Sequence, residues 1–216
     1  MKKILISFFA LLFTGSVASA AVNVGVSMSA AGFTATGTET ESDEKNQESA
    51  AGTAAYGSIF IEKTLGDRLS IGLDYVPATL DSETAENVQD DVKAKADGAG
   101  SQVTNTVKAS FENLTTIYLN LNMTENLYLK AGMASVDVIT GESLATGSKY
   151  GDGDMDGTVV GLGYSNDFGN SMFIRFEGTY MDLGSLSLTS STNSDNKVSI
   201  DDLNGVSGTI KIGKSF

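Results

Sequence analysis

Along most of this chain apolar and polar side chains alternate with a period of two, the pattern of strands with one apolar and one polar face. It is clearest from Gly57 to Tyr75, where Leu69, Ile71, Leu73 and Tyr75 alternate with Ser70, Gly72 and Asp74 after a tight turn at about Leu65 to Arg68. Strand one is expected from Val22 to about Thr34, with Val22, Val24, Val26, Met28 and Ala30 on one face. Strand two runs from about Thr53 to Lys63 and sets Ile59 and Ile61 against Glu62, and strand three is the arm ending at Tyr75. Strand four, Val107 to Asn122, reads as one unbroken parity, with Val107, Ala109, Phe111, Ile117, Leu119 and Leu121 opposed to Lys108, Glu112, Tyr118 and Asn120. Strand five carries Leu127, Leu129, Ala131 and Met133 against Lys130, and strand six Val160, Leu162 and Tyr164. Strand seven sets Met172, Ile174, Phe176 and Tyr180 against Arg175, Glu177 and Thr179, and strand eight ends the chain with Val206, Ile210, Ile212 and Phe216.

The connections alternate between short and long. Tight turns follow strands two, four and six, whereas long loops occupy about 37–52, 77–106, 142–156 and 185–203. That rhythm predicts an all-β fold, an eight-stranded antiparallel up-and-down transmembrane β-barrel. Within the second long loop Ala85, Val88, Val92 and Ala96 recur at helical spacing and predict a short surface helix stopped by Gly98.

The first residues change the picture of where the chain acts. Lys2 and Lys3, the apolar run Ile4 to Phe13 and the small residues Ala18-Ser19-Ala20 predict a signal peptide over 1–20 and a single barrel domain over 21–216. That apolar run is shorter than the roughly 20 residues of a spanning helix, so insertion into a bilayer must be by strands that close on one another.

Charge and composition then narrow the chemistry. The four long loops carry the whole net charge of −13, since acids and bases elsewhere cancel. No basic stripe exists, which excludes a nucleic-acid partner. There is no cysteine, so neither disulfides nor thiol chemistry is available, and there is no histidine. A Ser-His or Asp-His device is therefore impossible, and the chain is expected not to be an enzyme and to hold no cofactor.

The polar faces place Lys108, Lys130, Arg175 and Lys211 inside the barrel together with Glu62, Asp74, Glu112 and Glu177. An eight-stranded barrel has room only for side chains, and buried charges left unpaired are costly, so a mutually paired network is expected. The alternative is a narrow channel or small-molecule conduit gated by that network. Asp152-Gly153-Asp154-Met155-Asp156-Gly157 matches the first half of a calcium loop. Its twelfth position is Gly163 in place of the bidentate glutamate, which leaves Asp152, Asp154 and Asp156 as a weak divalent-cation candidate. Outward Tyr75, Phe111, Tyr164, Tyr180 and Phe216 are candidates for interfacial aromatic girdles.

Beyond residue 20 the whole chain resembles the small eight-stranded outer-membrane barrels, namely the OmpA-type transmembrane domain and the OmpX and opacity-protein group. The residues that carry the resemblance are the terminal Phe216 with Ile212 and Ile210 at alternating positions, together with the hairpin pattern. The resemblance implies that these three form a C-terminal signal for the barrel-assembly machinery. The third residue from the end, an aromatic in that pattern, is Lys214 here. It further implies a monomer in the outer membrane, in contact with the bilayer and lipopolysaccharide. The expected role is that of a structural, porin-family-like surface protein with acidic loops available for surface interactions. A soluble exported barrel with an apolar ligand in its core is the third possibility.

The choice of lipid-facing side is open to a direct check. Detergent-solubilised mature protein should migrate differently before and after boiling and fractionate with outer membranes. Solubility without detergent would instead place the apolar face inward.

Overall fold

The computed structural model describes residues 21–41, 44–90, 102–144 and 148–216, and the expected signal peptide, 1–20, lies outside them. The described residues form eleven strands and no helix: β1 (Val22–Glu41), β2 (Glu44–Leu65), β3 (Leu69–Tyr75), β4 (Leu80–Asp81), β5 (Ala85–Asp90), β6 (Gln102–Asn122), β7 (Leu127–Ser143), β8 (Gly153–Asp167), β9 (Met172–Asp182), β10 (Leu186–Thr189) and β11 (Lys197–Ser215). Eight of them, β1-β2-β3-β6-β7-β8-β9-β11, close antiparallel into a ring through a β1–β11 ladder, while β4 and β5 pair with β6 and β10 with β11.

The registers define how the ring closes. Following paired residues from Val24 through Ile61, Leu73, Ile117, Met133, Thr158, Asp182 and Asn204 returns to β1 at Thr34, ten residues farther along. This stagger is the shear that tilts the strands and fixes which side chains point inward. Val22 and Phe216 exchange backbone hydrogen bonds of 3.0 and 2.9 Å, so the two ends of the barrel sequence meet on the rim that carries the tight turns.

Outside, the wall presents an apolar band with Met28 73% and Met133 64% exposed, joined by Val26, Val160, Leu162, Phe176, Ile210 and Ile212. Inside, the half nearest the tight turns is charged and polar, and the other half is apolar. There Val76, Leu114, Val136, Val138, Met155, Val159, Leu183 and Leu203 form a buried layer packed by Phe33, Tyr56, Phe111 and Met181.

Three expectations are corrected. The parity of strand four does not survive its length, because β6 holds an extra residue between Glu112 and Thr115, with Asn113 in the left-handed region at φ 57°. A bulge exchanges the two faces of everything beyond it. Ala109 and Phe111 therefore pack against the inner apolar layer, and Lys108 and Glu112 point outward. Phe111 is thus no part of an outer girdle. Second, the helix expected from Ala85 is a strand over Ala85–Asp90, paired with β6, while Val92, Ala96 and Gly98 lie outside the described residues. Third, much of the first and last long loops is ladder. The β1–β2 pairing continues to Glu41↔Glu44 and the β1–β11 pairing to Thr40↔Lys197. A membrane-crossing strand needs only about 9–11 residues, so strands of 20, 22 and 21 residues in β1, β2 and β6 rise well beyond the bilayer.

Deleting Asn113 removes the extra residue and should turn Ala109 and Phe111 outward and Lys108 inward. The expected result is a refolding yield or unfolding temperature well below that of the parent, followed by heat-modifiability. An unchanged unfolding temperature would show that the bulge does not set the parity.

Candidate functional site

The charged half of the lumen is assembled by seven of the eight strands of the ring. Glu62, near the end of β2, is 2% exposed at its side chain and takes both nitrogens of the Arg175 guanidinium from β9, Nη1 to Oε2 at 2.9 Å and Nη2 to Oε1 at 3.1 Å. Asn23 Nδ2 at 3.0 Å, Asn120 Nδ2 at 2.8 Å and the Tyr118 hydroxyl at 3.3 Å also donate to it. Five donors on one carboxylate amount to full satisfaction of its lone pairs. Beside it, Glu177 of β9 accepts from Lys130 Nζ at 3.0 Å and the Tyr128 hydroxyl at 2.6 Å, both on β7, and lies 3.4 Å from Lys211 Nζ of β11. Lys211, 1% exposed, also donates to Asp74 of β3 at 2.8 Å. Three cations thus meet three carboxylates, and the network crosses the lumen.

Aromatic rings complete the filling. Lys130 Nζ lies 4.1 Å from the centre of the Tyr118 ring, the Arg175 guanidinium 4.4 Å from that of Phe173, and Lys211 Nζ 4.9 Å from that of Phe60. Such contacts stabilise cations taken out of water. The rings fit because glycines face them. A Cβ at Gly72 or Gly163 would fall on the rings of Tyr118 and Tyr128 respectively, so these inward positions admit only hydrogen.

Above the network lies a ring of hydroxyls, Ser29 with Thr209 at 2.8 Å, Ser27 with Ser58 at 2.5 Å and Thr179 with Ser207 at 2.6 Å. Between these and the apolar layer is a cavity of about 40 Å³ bounded by Tyr56, Asp74, Thr116, Lys130, Glu177 and Lys211. It has the volume of about one water molecule.

Of the eight charges read as inward from the sequence, Glu62, Asp74, Lys130, Arg175, Glu177 and Lys211 come together, and Lys108 and Glu112 do not. Lys108 Nζ is 2.9 Å from Asp81 on the outer surface, and Glu112 accepts from the Thr79 hydroxyl at 3.3 Å. The Ser110 hydroxyl, followed by Lys108, holds the exposed Asp81 carboxyl below its ordinary range. Asp152, Asp154 and Asp156 are not gathered either. Asp152 accepts from the Thr140 amide at 3.2 Å, and Asp154 and Asp156 sit on β8 opposite Asp137 and Ser135. An extended strand cannot wrap an ion as a calcium loop does, and among the described residues no group of three or more His, Cys, Asp or Glu could hold a metal. Ile210, Ile212 and Phe216 all face outward on the last strand or at its end, with Lys214 Nζ 5.2 Å from the Phe216 ring. Tyr75 and Tyr180 cap the outer wall, their hydroxyls donating to Asn113 and Asn204 at 2.9 and 2.6 Å. The network also takes in Asn23, Tyr118, Asn120 and Tyr128, which the pattern of charges alone does not mark. Tyr118 and Asn120 share the parity of Lys130's partners across β6–β7, which is the signal that identifies them.

No family model matches the chain, and no curated protein matches it. Solved structures do. OprG of Pseudomonas aeruginosa aligns at a TM-score of 0.50 with 15% identity over 89% of this chain and 96% of its own. The outer membrane protease OmpT of Escherichia coli aligns at 0.49 with 11% identity over 95% and 100%. Ail, the attachment invasion locus protein of Yersinia pestis, aligns at 0.37 with 11% identity over 89% and 99%, in a structure with the heparin analogue sucrose octasulfate. The fold is that of the outer-membrane β-barrels.

The network's energetics are testable by a double-mutant cycle. Arg175→Leu leaves Glu62 buried without its main partner and should cost about 3–5 kcal/mol of unfolding free energy. Adding Glu62→Gln should recover most of that loss in the same denaturant titration, whereas additive losses would mean that the two residues act independently.

Proposed function

We propose that this chain is a closed, non-conducting outer-membrane barrel that holds an acidic, strand-built surface outside the cell. The observation that supports this reading most directly is the filling of the lumen. The ion-pair network spans one half and the apolar layer the other, and the cavity between them takes about one water. A hydrated ion or small solute has no path without breaking several buried pairs at once.

On this reading the apolar band faces the hydrocarbon of the outer membrane. The aqueous extensions of β1, β2, β6 and β11, with β10 laid against β11, are the surface a partner meets. Ile210, Ile212 and Phe216 serve as the recognition segment for barrel assembly, and the barrel acts as a monomer. Contact with lipopolysaccharide phosphates runs through bridging divalent cations, because the acidic exterior would repel them directly. The protein is not an enzyme on this reading. With no histidine in the chain, the lumen carboxylates have no general base beside a nucleophile and are all engaged in ion pairs.

Planar-bilayer recordings separate this reading from the channel alternative. Purified protein should give no single-channel steps, and Arg175→Ala, which opens a gap beside Glu62, should produce them or destabilise the barrel. Regular steps in the parent that disappear in Arg175→Ala would identify a gated conduit instead.

A further inference from the structure

Among the described residues the wall is not continuous above the outer rim. β2 pairs with β1 along its whole length, from Val22↔Lys63 to Glu41↔Glu44, but with β3 only from Leu65↔Leu69 to Ile59↔Tyr75. Pro77 follows at once, a residue that cannot donate to a ladder. The continuation of β3 stays with β6, as Leu80↔Phe111 in β4 and Ala85↔Val107 to Asp90↔Gln102 in β5. Among the described residues no strand pairs with the other edge of β2 between Glu44 and Ser58. Alternate residues of a strand aim their amide and carbonyl to the same side, so about seven residues of this stretch present unpaired groups to a slot.

The edge is short of the devices that normally blunt one. From Ser49 to Ser58 it reads SAAGTAAYGS, with no proline, no charge and no bulge in its register against β1. Its surroundings are acidic. Glu48 on β2 and Asp81, Glu83 and Glu86 on the opposite lip are all exposed, against two bases, Lys45 near the top of β2 and Lys108, which is already paired with Asp81.

We propose that the β2 edge over Ser49–Ser58 is a docking site for an extended cationic peptide segment of a partner protein, which adds as a strand antiparallel to β2. The added strand continues upward the ladder that β3 makes below, and continuity of register with an existing pairing is what positions it. Main-chain hydrogen bonds supply the attachment and the acidic lips select positive charge, the usual division of labour in strand addition. The surrounding small side chains leave the partner's side chains unobstructed on both faces. This proposal rests on the surface-display reading and adds the chemistry of the partner. A conducting barrel would overturn that reading in bilayers without affecting peptide binding, so the two failures are distinguishable.

The test uses the mature protein folded in nanodiscs and three capped octapeptides. One alternates lysine with valine, one replaces lysine by glutamate, and one is the lysine peptide N-methylated on every amide, which keeps its charge but cannot build a ladder from either edge. Binding of the first is expected, with weakening of about tenfold or more for each of the others. Reversing the lips with Glu48→Lys, Glu83→Lys and Glu86→Lys should weaken the lysine peptide similarly, in a protein that remains heat-modifiable. Amide exchange should be fast in the free protein at the alternate residues of Ser49–Ser58 that face the slot rather than β1, and slow there once the lysine peptide is bound. Equal binding of the N-methylated peptide would reduce the effect to charge attraction and overturn strand addition. Slow exchange of the edge in the free protein, or no binding of the lysine peptide, would overturn the proposal as well.

Discussion

Closure of the ladder with a stagger of ten residues is the constraint on which the rest depends. Once β11 is bound to β1 in that register, every strand has one set of side chains committed to a lumen too narrow for water to fill. Charges placed there lose their hydration and must find partners within reach. Glu62 and Glu177 do so by drawing on several strands each, β1, β6 and β9 for the first and β7 and β11 for the second. A pairing that joins residues far apart in sequence, as Arg175 and Glu62 are, can form only when the ring is complete. The network therefore couples the late strands to the early ones. A buried ion pair adds little to stability compared with apolar filling of the same volume, but breaking one is expensive. The network is better understood as penalising a slipped or open ring than as holding the closed one together.

The lumen's two halves answer to different demands. Near the tight turns the wall is inside the bilayer on all sides, and polar filling there is tolerated because the aromatic rings and the five donors on Glu62 replace water. Beyond the outer rim the long strands stand in water on their outer face, and a polar interior would leave them with nothing to pack on. The apolar layer of Val136, Val138, Met155 and Leu203 gives those extensions a core of their own. Where a strand does not reach that core, as with the upper part of β2, both faces are exposed.

The alternation of side chains made the closed barrel, its tight-turn rim and six of the eight inward charges legible in advance, because period two is a local property that closure preserves. What was not legible was every place where the period is interrupted. Asn113-Leu114-Thr115 looks like any other strand sequence, and nothing in it announces an extra residue. Yet that one residue moves Lys108 and Glu112 outside and Phe111 inside. The polar, glycine- and alanine-rich segments around residues 37–52 read as loop for lack of an apolar face, but a ladder above the membrane needs none, since water covers both sides. Ala85 and Val88 satisfy helical spacing, and the neighbouring edge of β6 overrides that weak preference by offering partners for their backbone.

Pro77 shows how a local interruption acquires a consequence at the level of the assembly. Below it β3 is shared between β2 and β6. Above it the chain follows β6, through the pairings of β4 and β5. β6 retains the strand, since the inner apolar layer draws Ala109 and Phe111 inward and brings the outward Lys108 and Ser110 up against Asp81. Among the described residues no strand pairs with that side of β2 above Ile59. The bulge at Asn113 and the free edge of β2 are thus linked. The residue that turns Lys108 outward allows the ion pair that ties β4 to β6, and a strand tied to β6 is not available to the edge of β2.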